Sequence, residues 1–221
     1  MQTRLILIRH GATDDNATGR LAGWRDSALT DRGRLEAELV AAFVAKHYRP
    51  IAIYASPLRR AWETAENLAR RLDLPVRPEP NLRELFFGDA EGLTEKELKG
   101  RFPEIWARAV NDEDDDLRWP NGETRRDFYH RARRAIDAIA SDHPAATVAV
   151  VTHGGVVSRF LADISEGRPT RWNAYRSANG SVAEVVMTDG TYSIARWNVT
   201  DHLNASAPAP NTSGECSAAD P

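Results

Sequence analysis

The chain has 221 residues, of which 42% are hydrophobic and 28% are charged, and its formal net charge at pH 7 is −3. This composition is typical of one globular domain with a substantial core, and it lacks the basic bias that favours a nucleic-acid partner. No apolar run is long enough to span a membrane, and the N-terminal run is too short for a signal peptide. The single cysteine, Cys216, cannot form an internal disulfide. We therefore expect a cytoplasmic protein that binds neither nucleic acid nor membrane.

The first predicted element is a strand at residues 5–8, an uninterrupted aliphatic run that leads into Arg9, His10 and Gly11. A run without polar alternation is typical of a strand that is buried on both faces, as in a parallel sheet. In open α/β sheets, ligands bind beyond the carboxyl ends of the strands, which is where Arg9 and His10 fall. Gly11 allows the backbone to turn sharply and to approach a bound group closely.

The next elements alternate between helix and strand. Thr30 is the predicted N-cap of an amphipathic helix that continues to about residue 47. A short buried strand follows at residues 51–54. Ser56 and Pro57 are then predicted to open a second helix, with the proline in its first turn.

The region of residues 81–121 is irregular and has only short helical patterns. Irregular connections of this length inside a compact domain are usually functional, so we predict a helical cap over a site. Four acidic residues have the spacing of a calcium-binding loop: Asp112, Asp114, Asp116 and Glu123. The sixth position of that loop requires glycine and is Leu117, so a solvated acidic loop is the better interpretation.

Helix and strand patterns continue to alternate in the C-terminal half. A long helix starts at residues 123–124, a strand at 147–152 precedes a helix at 156–164, and strands at 181–187 and 192–197 form a hairpin. The sequence thus predicts an α/β fold, a three-layer α/β/α sandwich with a mostly parallel central sheet. We expect this domain to cover residues 1–203 and a disordered tail to cover residues 204–221.

The strand at residues 147–152 leads into His153 and Gly154, so two strands of the chain end in His-Gly. Alone, each histidine has an ordinary structural explanation, and only the ordered set of motifs points to a function. The motifs are Arg9-His10-Gly11, Ser56-Pro57-Leu58-Arg59-Arg60-Ala61, the segment around Glu84 that ends at Gly92, and His153-Gly154-Gly155. In this set the chain resembles the histidine phosphatase superfamily, whose founding members are the cofactor-dependent phosphoglycerate mutases. The resemblance covers about residues 3–203 and implies a phosphoglycerate mutase-like fold.

The resemblance implies a role for each of five catalytic residues. His10 is the nucleophile, with one ring nitrogen donating to a backbone carbonyl and the other free to attack. Arg9 and Arg60 bind the phosphoryl oxygens, and His153 is expected to be a protonated donor to the same oxygens. Glu84 protonates the leaving oxygen and then activates the water that hydrolyses the phosphohistidine.

The resemblance also implies further substrate contacts from Asn16, Ala22, Gly23 and Gly154, in addition to the arginines, Glu84 and His153. Members of the family work without a metal or an organic cofactor, and the arginines beside the histidines would repel a metal cation. The expected partner is a small phosphorylated metabolite, and the expected oligomeric state is a monomer or a homodimer.

Three departures from the mutase pattern favour a phosphatase. Leu85 and Gly155 stand where the mutases carry arginine and asparagine, and the segment between Glu84 and His153 is short for the mutase insertion. The sequence therefore predicts a phosphatase that hydrolyses small-molecule phosphate monoesters through a phosphohistidine on His10, similar to the broad-specificity and α-ribazole phosphatases. The alternatives are a cofactor-dependent phosphoglycerate mutase and a non-catalytic regulator that binds a phosphorylated ligand.

Overall fold

The computed structural model describes residues 1–206 and is built around a six-stranded sheet. The strands are β1 (Gln2–Arg9), β2 (Ala52–Ala55), β3 (Val76–Pro78), β4 (Thr147–Thr152), β5 (Val182–Thr188) and β6 (Thr191–Val199). Their order across the sheet is β3-β2-β4-β1-β5-β6. The first four are parallel, whereas β5 is antiparallel to β1 and forms a hairpin with β6 at the edge of the sheet. The predicted mostly parallel sheet and the predicted hairpin are therefore confirmed.

Seven α-helices connect or flank these strands in the described part of the chain. They are α1 (Asp14–Ala17), α2 (Asp31–His47), α3 (Arg59–Leu72), α4 (Glu95–Arg101), α5 (Pro103–Ala109), α6 (Arg125–Asp142) and α7 (Gly154–Glu166). Short 3-10 helices lie at Pro80–Leu82, Gly88–Ala90, Pro169–Tyr175 and Asp201–Ser206. Thr30 caps α2 as predicted, because its hydroxyl accepts from the amide of Gly33 at 3.0 Å. The prediction that Ser56 and Pro57 open α3 is wrong by two residues, because the backbone of Leu58 is still extended.

The side chains of β1 reach both faces of the sheet. Leu5 and Leu7 pack with residues of α6 and α7, whereas Ile6 and Ile8 pack with residues of α2 and α3 on the opposite face. All four are at most 1% exposed. Full burial of one such side chain stabilises the fold by about 1.5–3 kcal/mol, so a β1 that is apolar on both sides requires helices on both sides. The predicted three-layer sandwich is confirmed.

The predicted irregular region contains α4 and α5. Their apolar side chains form a third cluster, separate from the two cores on the sheet, around Ala90, Leu98 and Trp119. This cluster also contacts Phe87, only three residues after Glu84. The region therefore forms a small helical cap at the carboxyl edge of the parallel strands.

The end of the chain is described only in part. The 3-10 helix at Asp201–Ser206 includes the first three residues of the predicted tail, and residues 207–221 lie outside the described residues. The boundary at residue 203 and the disorder of the tail stay predictions. Among residues 1–206, none of the helices has the length and the apolar character needed to cross a membrane.

Candidate active site

The register of the parallel strands brings the two His-Gly motifs together. Arg9 on β1 pairs with Thr152 on β4, so His10 and His153 follow two residues that lie side by side. The centroids of the two imidazole rings are 5.2 Å apart, and the ring planes are inclined at 61°. Both rings are buried, with exposed fractions of 3% and 0%. Two residues that are far apart in the sequence thus form one site.

The ring of His10 is held with one nitrogen available for attack. Its Nδ1 lies 2.7 Å from the carbonyl oxygen of Gly11. Because a carbonyl can only accept, this contact assigns the ring proton to Nδ1 and leaves a lone pair on Nε2. The Nε of Arg60 donates to that Nε2 at 3.3 Å. Burial, followed by the charges of Arg60 and Arg9, lowers the pKa of His10 well below its ordinary value, so the ring is neutral.

The structure corrects the expectation that His153 is a protonated donor. Burial lowers the pKa of His153 well below its ordinary value, and the nearby Arg60 and His10 lower it further. The Nε2 of His153 lies 2.7 Å from the hydroxyl of Ser56, and that hydroxyl accepts from the amide of Leu58. The hydroxyl thus has its own proton available for Nε2, and on this basis we assign the ring proton of His153 to Nδ1. His153 is a neutral ring that can still donate, through an Nδ1–H that has no partner within the described residues.

The two predicted arginines lie on either side of these rings. Arg60 is only 1% exposed, and its terminal nitrogens donate to the carbonyls of Gly23 at 2.7 Å and Arg25 at 3.1 Å. Arg9 donates through Nη1 to the carbonyl of Ser177, and its buried Nε has no partner in residues 1–206. Burial lowers the pKa of both guanidinium groups, and the charge of Glu84 opposes this shift. Both groups keep their positive charge, because the pKa of arginine is far above neutral pH.

Glu84 is fixed at the rim of the site by backbone contacts. Its carboxylate accepts from its neighbour Leu85 at 2.9 Å and from the amide of Gly155, at the start of α7, at 3.0 Å. The hydroxyl of Thr152 donates to the carbonyl of Leu82 at 2.7 Å, which ties the segment before Glu84 to the end of β4. Glu84 thus lies against the same helix start as His153.

Four weaker predictions have mixed outcomes. The Oδ1 of Asn16 caps α1 by accepting from the amide of Thr13, and it also accepts from Asn179, whose side chain donates to the carbonyl of His10. Asn16 is therefore near His10, but its side-chain oxygen already accepts hydrogen bonds from Thr13 and Asn179. Gly23 acts through its carbonyl on Arg60, and the carbonyl of Ala22 accepts from the amide of Arg25 within the same loop. Gly154 packs closely against Arg9, since an added Cβ would lie 3.3 Å from the guanidinium carbon.

Sequence reasoning missed two residues that position the predicted ones. Ser56 orients His153, and the Ser-Pro pair just before α3 was a signal for a special position. Arg131 on α6 donates to the carbonyls of Arg83 at 2.7 Å and Glu84 at 2.8 Å, and it pairs with Glu123. Nothing in the local sequence distinguishes Arg131 from the other arginines of α6, because its role depends on which loop crosses the helix.

Three of the four carboxylates of the calcium-like pattern pair with arginines, and the fourth, Asp112, accepts from the side chain of Asn173. Asp114 pairs with Arg108 at 2.9 Å and Asp116 with Arg126 at 3.0 Å. In the part of the chain that the structure describes, no group of three or more histidine, cysteine or acidic side chains is arranged to hold a metal ion. The acidic loop therefore carries ion pairs to the cap and to α6.

A pocket of about 440 Å³ opens beside Glu84. It lies between the cap and the start of α7, and Gly155 and Phe87 form part of its wall. The rings of Trp24 and Phe86 are tilted at 40° to each other with centroids 4.9 Å apart, and the indole of Trp24 donates to the carbonyl of Glu84. Aromatic side chains therefore lie on both sides of the Glu84 segment, Phe87 in the pocket wall and Trp24 against the backbone of Glu84.

Comparison with known proteins gives the same family as the sequence motifs. The family model "Histidine phosphatase superfamily (branch 1)" matches residues 5–200. A metal-independent phosphoserine phosphatase of Arabidopsis thaliana is 34% identical over 205 residues, which are 92% of this chain and 84% of that protein. A glucosyl-3-phosphoglycerate phosphatase of Mycobacterium tuberculosis is 35% identical over 179 residues, covering 77% of this chain and 79% of that protein.

Solved structures agree with the fold. The native mycobacterial glucosyl-3-phosphoglycerate phosphatase superimposes with a TM-score of 0.80 at 30% identity, over 90% of this chain and 100% of that one. The α-ribazole phosphatase of Shigella flexneri superimposes with a TM-score of 0.81 at 27% identity, over 89% and 96% of the two chains. The resemblance seen in the sequence is confirmed, and the chain belongs to branch 1 of the histidine phosphatase superfamily.

Proposed function

We propose that this chain is a phosphatase that hydrolyses small phosphate monoesters through a phosphohistidine on His10. One observation carries the proposal: two buried donors, the Nε of Arg9 and the Nδ1 of His153, have no partner within residues 1–206 and belong to residues next to His10. Buried donors are normally paired, so a cluster of unpaired ones indicates a missing acceptor. A phosphoryl group has the negative oxygens that such donors bind.

The reaction follows from the positions of these groups. His10 Nε2 attacks phosphorus, the bond from phosphorus to the ester oxygen breaks, and the protonated carboxyl of Glu84 gives its proton to the leaving oxygen. The Nε of Arg60, which contacts Nε2 at 3.3 Å, turns to a phosphoryl oxygen as the nitrogen bonds to phosphorus. Glu84 then takes a proton from water, whose oxygen attacks phosphorus and releases inorganic phosphate and neutral His10.

The substrate class is proposed from the relatives. The named phosphatases act on phosphoserine and on glucosyl-3-phosphoglycerate, and both compounds are small phosphorylated metabolites. These two compounds and α-ribazole phosphate form a first panel. A cytoplasmic location and a monomer or homodimer stay predictions of the sequence.

The test is a His10→Ala substitution assayed with a generic aryl phosphate. We expect kcat to fall by about 10³-fold or more, because removal of a covalent nucleophile leaves only binding and electrostatic assistance. The wild-type protein, quenched during turnover with ³²P-labelled substrate, should carry acid-labile, base-stable label on His10.

A matched control is His130→Ala, since this histidine is exposed on α6. It should keep the label and the rate. Full activity in the His10→Ala protein would refute the proposal, and phosphate binding without turnover in the wild type would favour the regulator. With 3-phosphoglycerate and its bisphosphate activator, an isomerised product in place of free phosphate would favour the mutase.

A further inference from the structure

We propose that the pocket beside Glu84 binds the alcohol part of a phosphate ester in which a flat apolar body carries a carboxylate. This inference rests on the proposed function, because it concerns the leaving group of the same reaction. The pocket has about 440 Å³, enough for an aromatic ring with a short side chain. Its apolar wall consists mainly of Leu21, Phe87, Leu98, Trp106, Leu117 and Trp119.

The first observation is an indole donor without an acceptor. Trp172, in the 3-10 helix at Pro169–Tyr175, lines this pocket, and its Nε1 is buried with no hydrogen-bond partner among residues 1–206. The guanidinium of Arg176 lies 5.3 Å from the centroid of the indole ring, which holds the ring in place. An N–H that is buried in a pocket wall without a partner indicates an acceptor on the ligand.

The second observation is a buried cation on the same wall. Arg159 is only 4% exposed and lines the pocket. It lies four residues after Gly155 on α7, so it shares that helix face and is about 6 Å farther along the helix axis. Gly155 binds the carboxylate of Glu84, which marks the end of the pocket where the proposed reaction takes place. The cationic end of the pocket, at Arg159, is therefore about 6 Å from it along the helix axis.

The positive charge of Arg125 opposes the negative charges of Asp115, Asp112 and Glu84 around Arg159, and the guanidinium of Arg159 keeps N–H donors for an anion. Its one ion pair in the described chain joins Nη1 to Asp115 at 3.3 Å, which uses one of the five N–H donors of the guanidinium. Arg125, on the same wall, donates to the carbonyls of Ala109 and Asn111 and brings a second positive charge close to Arg159.

The acidic groups of the pocket are occupied. Glu84 accepts from two amides, and Glu123 pairs with Arg131. A carboxylate is therefore a better ligand here than an ammonium group, because it can accept from the Trp172 indole and from Arg159. The aromatic walls of Phe87, Trp106 and Trp119 suit a flat body between the phosphate and the carboxylate.

The test compares acids with amides of the same shape. The substrates are 4-phosphonooxyphenyl derivatives of acetic, propanoic and butanoic acid, each measured beside its neutral carboxamide. We expect at least one acid to exceed its amide about tenfold in kcat/KM, the ratio that one charge-assisted hydrogen bond supplies. In Arg159→Met and in Trp172→Phe, the ratio for that acid should fall toward one.

The controls separate binding from folding. Arg126→Met removes an ion pair to Asp116 on the same acidic loop, and Arg126 is exposed and outside the pocket, so this variant should keep the wild-type ratio. If Arg159→Met fails to fold, the acid-to-amide ratio of Trp172→Phe decides whether the pocket binds the carboxylate, since this substitution removes the indole N–H donor and keeps an aromatic ring. Equal rates for all three acids and their amides, with phosphate still released, would overturn this inference alone. No phosphate from any aryl ester would instead refute the proposed function.

Discussion

At the scale of single residues, the protein keeps two histidines neutral beside two arginines. Burial is the largest cause for both rings, and the charges of Arg60 and Arg9 act in the same direction. In the proposed reaction, a neutral His10 acts as the nucleophile, and a neutral His153 still donates through Nδ1. The different roles of the two rings therefore depend on their tautomers, which are selected by hydrogen bonds to Gly11 and Ser56.

Ser56→Ala tests whether Ser56 selects the tautomer of His153. Without the hydroxyl, Nε2 of His153 loses its donor, so the proton can move to Nε2 and Nδ1 no longer donates to the phosphoryl group. We expect kcat to fall about a hundredfold to a thousandfold, as for the loss of one donor to a developing anion. The ¹⁵N shifts of the His153 ring should report the change of tautomer.

The control for Ser56→Ala is Ser158→Ala, a serine on α7 that is also buried, at 3% exposure. Its hydroxyl bonds to no site residue in the described part of the chain, so kcat and the His153 tautomer should stay as in the wild type. If Ser56→Ala also keeps both, Ser56 does not position His153.

At the scale of elements, the start of α7 fits the carboxylate of Glu84 closely. An added Cβ at Gly155 would lie 2.2 Å from Oε1 of Glu84, so any other side chain must displace the carboxylate. The start of this helix also favours a negative charge, because its first amides have no acceptor within the helix and the helix dipole is positive at this end. Glycine at this position is required by the site and not by the backbone, whose φ at Gly155 is not in the positive region.

Gly155→Ala is therefore expected to lower kcat about a hundredfold, since a shift of about 1 Å in a catalytic group can have that effect. The fold should persist, which circular dichroism and a thermal melt would check. Gly100→Ala on α4 is the matched control, because no atom lies within 4 Å of its added Cβ. It should leave kcat unchanged and raise the free energy of unfolding by about 0.5–1 kcal/mol. Wild-type kcat in Gly155→Ala would contradict the placement of Glu84.

At the scale of the whole molecule, the neutral buried histidines make stability depend on pH. Both pKa values are lower in the folded than in the unfolded protein, so the folded state binds fewer protons. The contribution of the two neutral rings to the free energy of unfolding is complete above about pH 6.5. As the pH falls below this value, that free energy decreases by about 1.4 kcal/mol per pH unit for each ring. Burial also lowers the pKa of His202, which adds to the same trend.

Urea unfolding between pH 7.5 and pH 5 measures this dependence. We expect the free energy of unfolding of His153→Gln to fall less steeply with decreasing pH than that of the wild type, by about 1.4 kcal/mol per pH unit. The comparison cancels the contributions of carboxylates and of His202, which both proteins share. Identical slopes would show that His153 can become protonated without opposing the fold.

The sequence by itself determined the architecture and the membership of the site. Uninterrupted aliphatic strands, a threonine cap before α2 and two strands that end in His-Gly are local features, and a parallel sheet brings its strand ends together whatever the loops do. His10, His153, Arg9, Arg60 and Glu84 are accordingly found close to one another at the carboxyl ends of the parallel strands.

Only the tertiary structure decided the protonation of His153, the roles of Ser56 and Arg131, and the chemistry of the pocket wall. A pKa depends on what surrounds a ring, and the sequence predicted a charged His153 because it could not show that both rings are fully enclosed. Arg131 resembles the other arginines of α6, and Arg159 is the one arginine of α7, but neither role can be recognised until the loops that cross the two helices are known. Local pattern fixes which residues can form an element, whereas desolvation and partner choice depend on contacts between elements that are distant in the chain.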